Sequence, residues 1–336
     1  MRKRHKRKKR IIICFLLLII TAGIAFGGIK IYLDKKAEEQ RQYELYLEEQ
    51  KRIAEEKRKA EIYENCQNTP YLADTTPEKI NEFLTKYSNE NFAIYFEDIN
   101  NEYTILKNET TSFYGASLIK LLDATYLIRK ALAEEIDLKT ETVTYEARHK
   151  RDYSLGMDNH TIGEQISLET LIGYALSVSD NAAHEMLYEY IGVNNLRTYA
   201  SSLGITITAN SVEHFGYLNA DYTHKILEEV YDIILMDNSY SELLTTNMNN
   251  TYFNSLNFDD VVILHKYGSY NPYFHDIGIY NDEEYPYFIS IMTTIGEQAS
   301  PNKITELHQE IRTIYEENLE AKENYCYALA YNKKEE

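Results

Sequence analysis

One stretch, Phe113 to Ala124 (F-Y-G-A-S-L-I-K-L-L-D-A), places Ser117 and Lys120 at i and i+3. On a helix those positions share a face about one turn apart, so the amine can reach the hydroxyl. Serine is a weak nucleophile until a base takes its proton. Lysine serves as that base only when burial or a second cation destabilises its ammonium. A serine near a helix N-terminus also directs backbone N–H groups at a developing oxyanion. The chemistry this pair suits is acyl transfer through a serine ester. Alone, S-x-x-K is a weak signal, and Ser300-Pro301-Asn302-Lys303 fits it too. There a helix cap is the better reading, because proline follows the serine and no apolar helix face surrounds the pair.

Two further tripeptides accompany the first pair. Ser179-Asp180-Asn181 lies 62 residues after Ser117, flanked by helical runs. Lys266-Tyr267-Gly268, followed by Ser269, comes 87 residues later at the end of an apolar strand. S-x-x-K, S-D-N and K-x-G, in that order, form the motif set of penicillin-recognising serine enzymes. On these motifs the chain resembles the class A β-lactamase family and its penicillin-binding relatives, over about residues 75–320.

The resemblance implies a role for each motif residue. Ser117 would form the acyl-enzyme, Lys120 would help deprotonate it, and Ser179 would relay a proton to the leaving nitrogen. Asn181 would hold the substrate amide, and Lys266 would keep the site electropositive. Tyr267, Gly268 and Ser269 would line the substrate, with the N–H groups of Ser117 and Ser269 as oxyanion hole. The implied substrate is a β-lactam or a peptidoglycan peptide, with no cofactor. The histidines show no metal-ligand spacing, so no metal is expected either.

The chain also departs from the family pattern. The family's deacylating glutamate sits on an Ω-loop; here segment 206–227 holds one Glu, Glu213, and looks short. The residue four beyond it is Tyr217, not asparagine, so Glu213 reads either as that base or as a solvated loop residue, and slow deacylation is expected. No arginine occurs between Arg197 and Arg312, so the usual carboxylate-clamping arginine is missing; His275 lies near its place and reads as an ordinary loop or strand histidine rather than a partial substitute. Tyr267 stands where the family has threonine. Two rivals therefore stay open: a D,D-carboxypeptidase or esterase with the same nucleophile, and a non-catalytic wall-peptide-binding or scaffold protein.

These residues need elements to position them. Thr76 reads as N-cap of a helix over 77–87 with Pro77 at its first position. Residues 92–99 and 102–106 read as a hairpin across Asn100-Asn101. A mostly helical block runs from Ser117 to about Leu235, with Ser167 as an N-cap. Strands follow at 261–268, 273–280 and 285–295, and Ser300-Pro301 opens a helix of about twenty residues. The order predicts an α+β fold, an antiparallel sheet flanked by helices with the helical block as an inserted lobe. Tyr267, Tyr270, Tyr273, Tyr280, Tyr285 and Tyr287 crowd the last hairpin. They read as a stacking rim for a glycan or peptide, or as the packing that tryptophan does elsewhere, since the chain has 31 Tyr and no Trp.

The 336 residues carry 35 Lys+Arg against 53 Asp+Glu, a net charge of −18, with 44% hydrophobic residues. That apolar share excludes wholesale disorder, and the acidity excludes a nucleic-acid partner, because nothing would neutralise phosphates. The charge is segregated. Residues 2–10 hold eight basic residues and a histidine, and residues 11–29 carry no charge. Nineteen helical residues span about 28 Å, close to a bilayer core, and the positive end should stay cytoplasmic. A cleaved signal peptide and an uncleaved signal anchor both fit; the length of the run and the charged segment beyond it favour the anchor. Without the eight cations, 27 basic against 53 acidic residues leave −26 on the exported part.

Residues 34–65 interleave both charges without Pro or Gly, with Glu48/Arg52 and Glu55/Lys59 at i,i+4. The thin seam Tyr46, Ile53, Ala60 admits a weak stalk-mediated dimer, while a monomeric helical stalk is the simpler reading. The expected organisation is cytoplasmic 1–10, transmembrane anchor 11–29, stalk 30–66, hydrolase domain 67–322 and tail 323–336. In the resembled fold the first and last helices pack together, which brings a Cys66–Cys326 bridge within reach; two free thiols are the alternative.

Overall fold

The computed structural model describes residues 2–207 and 215–332. By internal contacts the chain forms two units, Met1–Cys66 with Cys326–Glu336, and Gln67–Tyr325.

In the first unit, helix α1 (Arg2–Gln67) is continuous through the uncharged stretch. It is the one helix among the described residues long and apolar enough to cross a membrane, and that window has no buried share. Ile11, Phe15, Leu18 and Ile24 are all exposed. Farther along, Arg52 pairs with Glu49 at 2.7 Å rather than with Glu48, while Lys59 reaches Glu55 at 3.7 Å. Such exposed pairs, screened by solvent and salt, add little to stability. Cys66 is disulfide-bonded to Cys326, closing a sequence separation of 260 residues.

In the second unit a five-stranded sheet, antiparallel throughout, runs in the order Tyr103–Lys107, Phe92–Asp98, Tyr287–Thr293, Tyr273–Tyr280, Leu264–Tyr270. Its strands are β1 (Phe92–Asp98), β2 (Tyr103–Lys107), β7 (Leu264–Tyr270), β8 (Tyr273–Tyr280) and β9 (Tyr287–Thr293). Alternation sorts the central strands between two cores. Phe92, Ile94, Phe96, Ile289 and Ile291 pack with Phe83, Leu307, Ile311 and Tyr315 from α2 (Thr76–Lys86) and α9 (Ser300–Tyr327). Ala93, Phe288 and Met292 face the opposite core, built on the helices between β2 and β7. Every β9 residue is consequently buried. Burying one such Phe or Ile side chain stabilises by about 1.5–3 kcal/mol.

The intervening helices are α3 (Ile119–Leu132), α4 (Leu168–Ser177), α5 (Asn181–Ile191), α6 (Val193–Ser202), α7 (Ala220–Ile234) and α8 (Ser239–Asn249). Short pairs β3 (Phe113–Tyr114) with β6 (Tyr217–Leu218), and β4 (Thr142–Thr144) with β5 (Gln165–Ser167), accompany them. Ser167 caps α4 by accepting from Thr170 N–H, as the sequence predicts. Thr76 is not the cap of α2. Thr75 holds that position without a side-chain bond, and Thr76 Oγ1 donates to Asn318 Oδ1 on α9 at 2.9 Å. The long-range anchor outcompetes the local cap. α9 runs 28 residues, past the expected twenty, and ends at Tyr327.

Candidate active site

The nucleophile candidate sits on a constrained turn. β3 pairs with β6, and Gly115 N–H donates to Gly216 O at 3.0 Å. A Cβ on Gly115 would meet the Leu218 side chain at 2.9 Å. Ala116 then takes φ +44°, a left-handed value costly for a residue with a Cβ. Ala116–Leu118 form a single 3-10 turn that feeds α3. Ser117 remains partly exposed, while Lys120, one turn on, is fully buried.

Lys120 Nζ lies 3.0 Å from Ser117 Oγ. It also donates to Ser179 O at 2.6 Å and Asn181 Oδ1 at 2.7 Å, with Ser179 Oγ at 3.3 Å. The carbonyl and the amide oxygen can only accept, so they consume two N–H groups. A neutral amine then has one lone pair left, available to the Ser117 hydroxyl. Burial pushes the Lys120 amine well below the usual lysine range, and Lys266 adds repulsion, against the pull of Asp180 and Asp123.

The second motif closes the site from the other side. Ser179 has φ +56°. Asp180 is wholly buried and accepts from three backbone groups, Ala183 N–H at 2.8 Å and Gly156 and Met157 N–H at 2.9 Å each. Its role is to fix the turn that presents Ser179 and Asn181. Asn181 Nδ2 donates to Asp152 O at 2.9 Å, which orients its carbonyl at Lys120.

The third motif is strand β7, the sheet edge. Lys266 Nζ donates to Ser179 Oγ at 2.8 Å and to Tyr267 O at 2.9 Å. Burial pushes this amine down to about 7, opposed by Asp276, which also pairs with His265 at 2.8 Å. The glycine of K-x-G has a steric reason. A Cβ on Gly268 would meet Gly115 O at 2.9 Å and Leu118 Cγ at 3.0 Å, so the strand passes directly against the Ser117 turn. Tyr267 is buried, edge-on to Phe253 at 5.0 Å and stacked on Phe274 at 6.4 Å. Its phenol is pushed up to about 12, chiefly by burial. The Ser269 hydroxyl donates to the carboxylate of Glu297.

The structure thus joins Ser117, Lys120, Ser179, Asn181 and Lys266 in one hydrogen-bonded group, with Tyr267, Gly268 and Ser269 adjoining it. Glu213 lies outside the described residues. His275 supplies no cation here. Its Nε2–H donates to Tyr114 O at 2.9 Å, its Nδ1 accepts from Thr293 N–H at 3.1 Å, and burial pushes it down to about 4. Sequence reasoning missed Phe215, whose ring lies 5.6 Å from Lys120 Nζ and 4.8 Å from the His184 ring. It also missed the buried His184–Asp123 pair at 2.6 Å. Neither carries a local sequence signal. Glu297 was missed as well, one turn before the α9 start.

A family model described as the beta-lactamase enzyme family matches residues 75–316. Among solved structures, the chain is similar to a class A β-lactamase from Bacteroides cellulosilyticus DSM 14838, at TM-score 0.62 and 19% identity, covering 74% of this chain and 100% of that one. It is similar to the extended-spectrum β-lactamase TLA-3, at TM-score 0.61 and 17% identity, covering 72% and 98%. It is also similar to a PBP-A variant in an acyl-enzyme complex with penicillin G, at TM-score 0.64 and 14% identity, covering 74% and 99%. At these identities the likeness speaks for the fold. No curated protein sequence matches the chain.

Proposed function

The chain belongs to the beta-lactamase enzyme family, and on that premise we propose a membrane-anchored, extracytoplasmic serine hydrolase that works through an acyl-serine intermediate. Ser117 Oγ attacks the carbonyl carbon of a β-lactam or cell-wall peptide amide, and its proton passes to Lys120 Nζ. The N–H groups of Ser117 and Ser269 receive the oxyanion. As the C–N bond breaks, Ser179 hands its hydroxyl proton to the leaving nitrogen and takes one back from Lys120 Nζ, 3.3 Å away, which returns that amine to its neutral form, while Lys266 keeps the site electropositive. Asn181 holds the substrate amide against Tyr267, Gly268 and Ser269. Water then cleaves the ester, restoring the Ser117 hydroxyl.

The observation that carries this reading is the buried Lys120 amine 3.0 Å from the Ser117 hydroxyl, with its other hydrogen-bonding capacity already committed. For the anchor, the support is the exposed apolar stretch of α1 behind a cationic end. The Cys66–Cys326 bridge suits an oxidising compartment outside the cytoplasm. Full-length protein incubated with benzylpenicillin, followed by intact mass over time, tests the reading. A transient adduct supports β-lactamase turnover, a lasting adduct supports a penicillin-binding role, and no adduct removes β-lactams from the substrate list.

A further inference from the structure

The mouth of the cleft carries a charge that the sequence motifs do not announce. Gly268 packs on Gly115 and Leu118, so Ser269, the next residue along β7, stands beside the Ser117 turn. Its hydroxyl donates to Glu297 on the β9–α9 connection. That connection is tied to the β7–β8 turn by Gly296 N–H donating to Pro272 O at 3.0 Å. Glu297 itself is exposed, so its carboxylate is held at the entrance rather than sealed inside.

No described cation in this cleft balances it at the entrance. Lys120 and Lys266 are both fully buried, with their N–H groups directed at Ser117, Ser179, Asn181 and Tyr267 O. His275 has both ring nitrogens committed and stays neutral. Arg312 lies over Tyr280, Tyr287 and Tyr315, in the core on the α2–α9 side of the sheet. Aromatic rings adjoin the Ser117 turn on the Tyr114 side. The Tyr114 ring lies 5.2 Å from Tyr270, 5.7 Å from Tyr217 and 6.1 Å from Tyr273.

We infer that Glu297 sets substrate choice at this site, disfavouring a free carboxylate beside the scissile bond and favouring a neutral or amine-bearing group there. A peptide that continues past the cleaved amide, or one whose terminal acid is amidated, meets that condition; a chain ending in a carboxylate does not. A like-charge encounter at an interface is a standard way to reject a competitor. The inference rests on the acyl-enzyme reading above. It adds no chemical step, since the same C–N bond breaks and the same Ser117 ester forms.

The test compares benzylpenicillin with its neutral methyl ester as acylating agents of the full-length protein, with rates read by quenched intact mass. Wild type should take the ester at least as fast as the acid. Glu297→Lys should raise the acid-to-ester rate ratio by about tenfold, the size of one partly solvated charge contact reversed, and Glu297→Gln should fall between. A change in helix stability at the α9 start would move both rates together and leave the ratio alone. A wild type that takes the acid ten times faster than the ester, or a Glu297→Lys ratio equal to wild type, overturns the inference and leaves the acyl-enzyme reading standing. No adduct from either compound removes β-lactams from the substrate list of that reading, and overturns the inference with it.

Discussion

Lys120 Nζ and Ser117 Oγ lie 3.0 Å apart, the amine wholly buried and the hydroxyl open to solvent on one side. That asymmetry is what a lysine base needs: no water to stabilise its ammonium, and a substrate path to the oxygen it activates. Lys120→Met should cut the acylation rate about 10²–10⁴-fold, the usual share of a general base. Retained Ser117 acylation at wild-type rate would show that another group takes the proton.

The two lysines predict a pH profile. Lys120 acts as base only when neutral, and burial, with Lys266 beside it, lowers its pKa and so enlarges that fraction. Lys266 serves as cation only below about 7. Acylation should therefore rise from acid as Lys120 loses its proton and fall above about pH 7, with apparent values belonging to the pair. A rate still climbing at pH 9 contradicts this assignment.

Stability should move with the same protons. Between about 7 and the ordinary lysine value of about 10.4, folded Lys266 binds fewer protons than the unfolded chain does. Its contribution is full above the upper value and is lost as pH falls to about 7, so stability climbs with pH across that window. Melting temperatures at several pH values should show a smaller slope for Lys266→Met than for wild type.

The glycine of the third motif is a packing requirement. Gly268→Ala places a methyl 2.9 Å from Gly115 O, a backbone atom that cannot rotate away. Relief needs β7 or the Ser117 turn to shift, at about 1–3 kcal/mol. Both melting temperature and acylation rate should fall; an unchanged acylation rate would mean the turn and strand are not coupled.

Much of this was legible in the sequence because the signals are local. The three motifs, the strand alternation behind β1 and β9, and the Ser167 cap all depend on neighbours a few residues away. What escaped depends on partners far along the chain. Thr76 looks like a cap until Asn318 claims its hydroxyl across 242 residues. Phe215 becomes part of the site only because β6 pairs with β3, and Glu297 only because Gly296 binds Pro272 O. His275 lies near a clamping arginine's place, and two backbone bonds make it the ordinary strand histidine that the sequence favours over a substitute cation. Positive φ at Ala116 and Ser179 has no composition signal, since neither is glycine.

The disulfide makes a count. Of three cysteines, Cys66 and Cys326 are joined and Cys14 is free. Alkylation of denatured, unreduced protein should label one thiol, and reduction should raise the number to three. Three labels without reductant would end the bridge.

Everything proposed for this site depends on Ser117 being the residue that carries the acyl group. Peptide mapping of full-length protein quenched with benzylpenicillin, beside Ser117→Ala, addresses it directly. One adduct is expected, on the peptide holding Ser117 and absent from the alanine variant. An adduct that persists in Ser117→Ala, or maps to another peptide, contradicts it.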